Sequence, residues 1–420
     1  MNILIIGSGG REHSIAWAIK QNPICKKIYC IPGNAGISKI AECHDLNIMD
    51  NNQIIDFCKE NQINFVIIGP EKPLSNGIVN DLTNNSIMSF GPNQEASMLE
   101  TSKNFTKRIC EINNIPTAKY KVFNDFEGAS NYVLKNNGPF VIKADGLAEG
   151  KGVSIEKSKE SAIKTIKNMF EGQFGDSGKT ILIEEFLTGT EVSFFVLTDG
   201  ETILPLGSAQ DYKKAFDNDK GPNTGGMGAV SPSPIFDKNL EAKTINKIIK
   251  PTLEHLKKDK IKYCGILYAG LIIKNNEPKL IEYNVRFGDP ECQVILMRIG
   301  AQILDLFLDC AFKNLKYSKV NWIDNHTINV VIASDGYPKD YEKGKEIYNL
   351  QKLNNLENIQ VFHAGTKEIN GKVFSNGGRV LNICGRSKTL AKARKLVYQN
   401  ITKINWGNGF YRKDIGKFLD

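Results

Sequence analysis

The sequence predicts an α/β unit followed by α+β units, and three observations predict it. Over residues 1–100, short unbroken apolar runs alternate with helix-length stretches. Each of those runs ends in glycine or proline. Beyond residue 100, strand-like runs follow one another closely, as at 263–274 and 279–284 around Asn275-Asn276. At about 150 residues per domain, a chain of 420 residues makes two to four domains. The expected boundaries are 1–100, 101–325 and 326–420.

The first unit carries the runs 3–6 (ILII), 27–31 (KIYCI) and 64–68 (NFVII). Apolar strands without alternation are buried on both faces, so they read as a doubly wound parallel sheet. Ligands of such sheets bind at the carboxyl ends of the strands. Those ends are Gly7-Ser8-Gly9-Gly10-Arg11, Pro32-Gly33-Asn34-Ala35-Gly36 and Gly69-Pro70-Glu71. The second unit opens with Thr101-Ser102-Lys103, which caps a helix running through Ile112. Strands are expected at 140–143, 180–187, 192–197, 263–274 and 279–284. The third begins near His326 with the run 328–332 (INVVI), and Asn376-Gly377-Gly378 signals a hairpin before 379–383.

Composition excludes several classes. The chain is 41% apolar and 24% charged, as an ordinary globular protein is. Lys plus Arg is 54 against 46 Asp plus Glu, a net charge of +8. That mild excess favours anionic ligands without calling for nucleic acid. The lysines alternate with acids, and no basic block with interleaved aromatics stands out. Nine cysteines contain no C-x-x-C pair, which argues for a reducing compartment over a disulfide framework. No apolar run approaches the roughly 20 residues of a membrane span. The first strand starts at Asn2, so no signal or transit peptide is expected.

Some motifs fail on inspection. The glycine turn at 7–12 has Glu12 at the third glycine position of a dinucleotide fingerprint, and no acid follows Ile31-Pro32. It suits either a phosphate near a helix N-terminus, with Arg11 adding donors, or a plain tight turn. Residues 172–180 space their glycines by five where a Walker A loop needs four, and a strand follows. No H-E-x-x-H or G-x-S-x-G occurs.

Four segments carry chemistry together. Residues 141–153 (VIKADGLAEGKGV) lead Lys143 from a strand into a loop holding Gly146, Gly150, Lys151 and Gly152. Mobile amides and point charges at that spacing suit a polyphosphate, and also a plain hairpin with solvated lysines. Glu184-Glu185-Phe186-Leu187, with Glu191 beyond, suits adenine through backbone groups and ribose through Glu191, or an exposed acidic edge. Residues 210–228 form a long polar loop rich in glycine and amides; such loops are functional or disordered, and Phe216, Pro222 and Met227 argue for order. Finally, Glu282 and Asn284 share one face of a strand, a carboxylate and an amide oxygen suited to Mg²⁺ carrying nucleotide phosphates. Arg286 continues that face and suits a bidentate clamp on a carboxylate.

With these runs in view, the sequence resembles the glycinamide ribonucleotide synthetases, the phosphoribosylamine–glycine ligases of the ATP-grasp superfamily. The resemblance rests on 6–13 (IGSGGREH), 32–36 (PGNAG), 69–71 (GPE), 143–153, 221–228 (GPNTGGMG) and 286–291 (RFGDPE). It extends through 362–366 (FHAGT), 376–381 (NGGRVL) and 412–416 (RKDIG), so it covers the whole chain. One departure is that Tyr212 and Lys214 stand where many members carry His and Arg.

The resemblance implies an ATP-grasp body with a small lid at about 118–190 and a mixed α/β C-terminal domain. It implies ligation of glycine to 5-phosphoribosylamine with ATP, through a glycyl phosphate, in purine synthesis. Lys103 and Lys143 would contact the nucleotide, and 146–152 would close over it. Glu184, Glu185, Phe186, Leu187 and Glu191 would hold adenosine, and Glu282 with Asn284 would hold Mg²⁺ or Mn²⁺. Asp211 and Arg286 would hold glycine, so Lys143, Asp211 and Arg286 are the expected catalytic set. Gly10, Arg11, Gly33, Asn34, Glu71, Lys213, Asn223 and Thr224 would frame phosphoribosylamine. A monomeric cytoplasmic enzyme is expected, without nucleic-acid or membrane partners and without later pathway domains. Rival readings are another ATP-grasp ligase or a formate-using purine enzyme, which would differ at 211–228, and a basic RNA-binding protein without turnover.

Overall fold

The structure is a computed structural model that describes residues 1–148, 152–354 and 356–417. Its first sheet holds β1 (Asn2–Gly7), β2 (Lys27–Pro32), β3 (Glu42–Cys43), β4 (Phe65–Ile68) and β5 (Ser89–Phe90). These strands are parallel, in the order β3-β2-β1-β4-β5. Ile3, Leu4, Ile5 and Ile6 are fully buried in the central strand, which is why the run has no polar side. The strand ends meet at one edge, where Gly33 N donates to Gly7 O and Gly69 N to Ile6 O. That is the doubly wound unit the sequence predicts.

A second, small antiparallel sheet runs β6-β9-β7-β8, from β6 (Tyr120–Phe123), β7 (Phe140–Ala144), β8 (Val153–Glu156) and β9 (Ile181–Glu185). Helices Phe126–Lys135 and Lys159–Asn168 are capped by Asp125 and Ser158. They bury Ala129, Val133, Ala162 and Ile166 against Phe140, Ile142 and Ala144 in a core of their own. Alternation therefore turns Val141 and Lys143 to the opposite face.

The largest sheet begins with β10 (Thr190–Thr198) and β11 (Ile203–Asp211), then leaves the sheet for a hairpin of β12 (Lys214–Phe216) and β13 (Lys220–Asn223). It resumes with β14 (Gly228–Ser231), β15 (Gly265–Lys274), β16 (Glu277–Asn284) and β17 (His326–Ser334). The remaining strands are β18 (Glu346–Ile347), β19 (Ile359–His363), β20 (Thr366–Ile369), β21 (Lys372–Ser375), β22 (Arg379–Ser387) and β23 (Gly409–Phe410). The order is β16-β15-β10-β11-β14-β17-β22-β19, with β23 beside β17. Pairing of β14 with both β11 and β17 carries this sheet across residue 325 into the C-terminal strands. β15 and β16 turn at Asn275 and Asn276, whose φ angles of 52° and 58° suit the tight hairpin expected there.

Two expectations need correction. Residues 210–228 are ordered, as Phe216, Pro222 and Met227 suggest, but they are not all loop, because β12 pairs with β13 inside them. Those strands lack apolar alternation, so periodicity could not reveal them. Nor is Asn376-Gly377-Gly378 a hairpin turn. The turn lies at Asn370 and Gly371, between β20 and β21, with φ of 51° and 77°. β19–β22 and β20–β21 are two halves of one bent ribbon, and Gly377 sits at the bend. A Cβ on Gly365 would lie 2.6 Å from Gly377 Cα, so these glycines permit a crossing of backbones. Among the described residues no helix is long and apolar enough to cross a membrane.

Candidate active site

A cavity of about 930 Å³ lies between the small sheet, β15–β16, the 211–225 segment and the strand ends of the first sheet. Of the expected residues, Lys103, Lys143, Gly146, Gly152, Glu184, Glu185, Phe186, Leu187 and Glu191 line it. So do Arg11, Glu71, Asp211, Lys213, Asn223, Thr224, Glu282, Asn284 and Arg286. Gly150 and Lys151 fall outside the described residues.

At one end, Lys143 from β7 and Lys107 from helix Lys103–Ile112 each approach Glu184 Oε2 at 3.1 Å. All three side chains are buried. Lys107 Nζ also donates to Thr117 Oγ1 at 2.8 Å, and burial lowers its pKa despite Glu184. Glu184 Oε1 is buried without a partner among the described residues. Ser102 caps the helix by accepting from Phe105 N at 3.0 Å. Asp145 accepts from Asn104 N at 3.1 Å, and Lys103 Nζ donates to Gly146 O at 3.0 Å. The glycine-rich loop is thus tied to the start of that helix. Val141, Ile155, Leu187 and Ile281 give this end an apolar lining.

Glu282 and Asn284 both line the cavity, two positions apart on β16. Neither side chain has a hydrogen-bond or ion-pair partner shown among the described residues. Burial opposes ionisation of Glu282, but Lys143, Lys213, Lys103 and Arg286 outweigh it and hold the carboxyl below its ordinary range.

Arg286 differs. Its Nε approaches Glu71 at 3.2 Å, its Nη2 Glu100 at 2.6 Å, and its Nη1 donates to Phe287 O at 3.1 Å. Every nitrogen of the expected glycine clamp is engaged inside the protein. Glu100 also accepts from Val285 N at 2.8 Å. Burial opposes ionisation of Glu71, yet Arg286 and Arg11 bring its pKa down to about 2. Arg11 is likewise occupied, by Glu12 at 2.6 Å and Phe287 O at 3.0 Å.

Two amides of the first glycine turn are engaged within the protein too. Gly9 N donates to Glu12 Oε2 at 2.6 Å and Arg11 N to Asp289 Oδ2 at 3.1 Å. Carboxylates of the protein thus occupy amides expected to meet a phosphate. Gly10, Gly33 and Asn34 do not line the cavity. A Cβ on Gly10 would lie 2.5 Å from Asn382 Nδ2 and from Gln293 Nε2, and one on Gly33 would collide with Cys43 Sγ. Asn34 donates to Ser8 O and His363 O and accepts from Gly36 N and Ile37 N. These residues pack the strand ends together behind the site.

At the other end, Lys213 pairs with Glu191 at 2.7 Å. Burial pushes the Asp211 carboxyl up to about 7 against the pull of Lys213, with Glu291 and Glu191 adding to the rise. Glu291 Oε1 accepts from Ser193 Oγ at 3.1 Å and Tyr268 OH at 3.0 Å. Thr224 Oγ1 donates to Lys213 O at 2.8 Å and accepts from Gly226 N at 3.0 Å. Arg379 Nη1 reaches Gly225 O at 2.6 Å and Asp289 O at 2.5 Å.

Sequence reasoning passed over Lys107, Glu100 and Arg379, which also line the cavity. Lys107 follows Lys103 by one helical turn, a spacing that puts both on one face. Glu100 and Arg379 carry no local signal, because their partners are distant in the chain.

Three family models match the chain: the phosphoribosylglycinamide synthetase N domain over residues 1–100, its ATP-grasp (A) domain over 101–292 and its C domain over 327–418. The phosphoribosylamine–glycine ligase of Brucella melitensis is 44% identical over 416 residues, 99% of this chain and 97% of that one. The crystal structure of a phosphoribosylamine–glycine ligase from Thermotoga maritima matches with a TM-score of 0.87 at 34% identity, covering 99% of this chain and 100% of that one. The biotin carboxylase domain of a Hydrogenobacter thermophilus 2-oxoglutarate carboxylase, solved with MgADP, shares the fold at a TM-score of 0.75 and 17% identity, over 98% of this chain and 91% of that one.

Proposed function

We infer, because the chain belongs to the phosphoribosylglycinamide synthetase family, that it joins glycine to 5-phosphoribosylamine with ATP in purine biosynthesis. The observation that carries the site reading is the pair Glu282 and Asn284, which has no side-chain partner among the described residues. It lines one cavity with Lys103 and Lys143 on one side and Asp211 and Lys213 on the other.

The chemical difficulty is that a carboxylate is a poor acyl donor to an amine. In this reading the glycine carboxylate is first phosphorylated by ATP, and the amine of phosphoribosylamine then displaces phosphate from the glycyl phosphate. The protein supplies position and charge. Lys103 and Lys143 neutralise nucleotide phosphate. The orphaned Glu184 Oε1 accepts from the exocyclic amine of adenine, and the apolar lining receives the ring. Asp211, once ionised, takes the ammonium of glycine. Arg286 holds the turn after β16 in place rather than binding glycine. The 211–225 segment and the loop at Glu71 border phosphoribosylamine, while Gly10, Gly33 and Asn34 support them from behind. Closure of the small sheet excludes water from the acyl phosphate.

The residues fit a divalent cation of the Mg²⁺ type. Among the described residues no cluster of three or more metal-ligating side chains exists. One carboxylate and one amide are what such an ion takes when phosphates and waters complete its shell. When bound it would neutralise charge on the transferring phosphoryl group. Mg²⁺ over Mn²⁺, a monomer and a cytoplasmic location belong to this proposal. All nine cysteines are free, in keeping with a reducing compartment.

The test is ADP formation with Mg²⁺, glycine and phosphoribosylamine generated in situ, each omitted in turn. Turnover should need all of them. Turnover indifferent to glycine would overturn the reading.

A further inference from the structure

We propose that Arg412 is a positioning residue for this reaction, locking the 214–223 hairpin so that Lys213, Asn223 and Thr224 stay in the cavity wall. The proposal rests on the ligase reading of the site.

The hairpin is tied at its base by Thr224 N to Lys213 O but has little apolar core of its own. β12 and β13 pair at Lys214 with Asn223 and at Phe216 with Lys220, with an irregularity between. All four residues of β13 are exposed. Ala215 is buried, but Phe216 is half exposed and its ring lies 5.8 Å from that of Phe410. A two-stranded hairpin without a core is marginal in water. Its turn also places Asn218 and Asp219 at φ of 60° and 51°, in the left-handed region.

The C-terminal segment supplies what the hairpin lacks. The Arg412 side chain is 1% exposed. Its Nε and Nη2 grip both oxygens of Asp414 at 2.8 and 2.7 Å. The remaining Nη1 donates to Lys214 O at 3.1 Å and to Asp219 Oδ1 at 2.9 Å. Asp414 Oδ2 accepts from Asn218 N, and Asp217 Oδ1 from Lys413 N, both at 2.8 Å. All three turn residues are therefore captured. The Arg412 guanidinium lies 5.1 Å from the Tyr212 ring centre, and Tyr212 OH accepts from Gly416 N at 3.0 Å. Tyr212, the departure from the family pattern, is thus part of the clamp. None of Tyr212, Arg412 and Asp414 lines the cavity, whereas Asn223, the hairpin's last residue, and Lys213 and Thr224, which flank it, all do. The clamp acts on substrate only through the hairpin.

The experiment measures kcat and the KM of each substrate for the full chain and for Arg412→Gln, Arg412→Lys and Asp219→Asn, alongside thermal unfolding. Arg412→Gln should raise KM for phosphoribosylamine, and through Lys213 beside Asp211 that for glycine, by roughly tenfold, because small misplacements of positioning groups cost at least that much. KM for ATP should stay within about twofold, since its residues stand on other elements. Arg412→Lys should recover only part, because an ammonium cannot reproduce the planar fork. Unchanged KM values in a folded Arg412→Gln protein would overturn the proposal, as would an equal rise for ATP. Should Arg412→Gln fail to fold, Asp219→Asn carries the test. Its carboxylate is 71% exposed, and it should shift the same two KM values by roughly twofold to threefold. No shift there overturns the proposal. A wild-type chain without glycine-dependent ADP formation instead defeats the ligase reading beneath it.

Discussion

Glu282 and Arg286 stand four residues apart on one run of chain, yet their surroundings are opposite. Glu282 lines the cavity with a carboxylate for which the described residues show no partner. Arg286 lines the same cavity with every nitrogen bonded to Glu71, Glu100 or Phe287. The contrast recurs at Glu184, whose Oε1 is orphaned, and at the first glycine turn, whose amides meet Glu12 and Asp289. Buried polar groups are normally paired, so unpaired ones in the wall of a cavity are candidates to meet a ligand. Those already engaged by the protein belong to the frame in this reading. Residue type alone does not separate the two.

The strongest challenge to that division is Arg286→Ala. It leaves Glu71 and Glu100 buried without their cation, and stability should fall by about 3–5 kcal/mol in denaturant unfolding. The linkage has a definite sign. Glu71 is held at about 2 against an ordinary 4.5, so its contribution is full above 4.5 and is lost as pH falls towards 2. In the variant that acid limb should shrink, since Arg11 alone remains beside Glu71. A stable Arg286→Ala protein that binds glycine poorly would return Arg286 to the ligand side.

Gly10→Ala probes the frame behind the site. Overpacking against Asn382 and Gln293 should cost about 1–3 kcal/mol while leaving KM for ATP near normal. A selective rise in KM for phosphoribosylamine without loss of stability would place Gly10 at the substrate instead.

Asp211 tests the ligand side through pH. A carboxyl raised to about 7 is neutral below that value and ionised above it. KM for glycine should therefore fall roughly tenfold per unit as pH rises towards 7, then level off. Asp211→Asn should give a high, flat profile; an unchanged profile would remove Asp211 from the glycine site. The smallest effect belongs to Lys279→Ala. Its pairing with Glu185 at 3.9 Å is solvent-exposed, so stability should move by only about 0–0.5 kcal/mol.

What was legible in the sequence follows the same physical line. Features with local causes could be read: the buried strands of the first sheet, the Ser102 cap, the Asn275-Asn276 turn and the shared face of Glu282 and Asn284. Features settled by distant partners could not. Arg286 reads as a free clamp until Glu71 and Glu100 arrive from positions 215 and 186 residues away. Asn376-Gly377-Gly378 reads as a turn until Gly365 is seen against Gly377, while the working Asn-Gly turn lies at 370–371. The strands at 214–223 escaped because they lack apolar alternation and because Asp414 and Arg412, which bind their turn, lie 196 and 193 residues away.

The most direct test is a metal titration of glycine-dependent ADP formation in the wild-type chain and in Glu282→Gln. If Glu282 and Asn284 are the partnerless ligands of the cation, the variant should keep its thermal midpoint and need at least about tenfold more Mg²⁺ for half-maximal turnover. Superimposable metal curves for the two proteins would contradict the account.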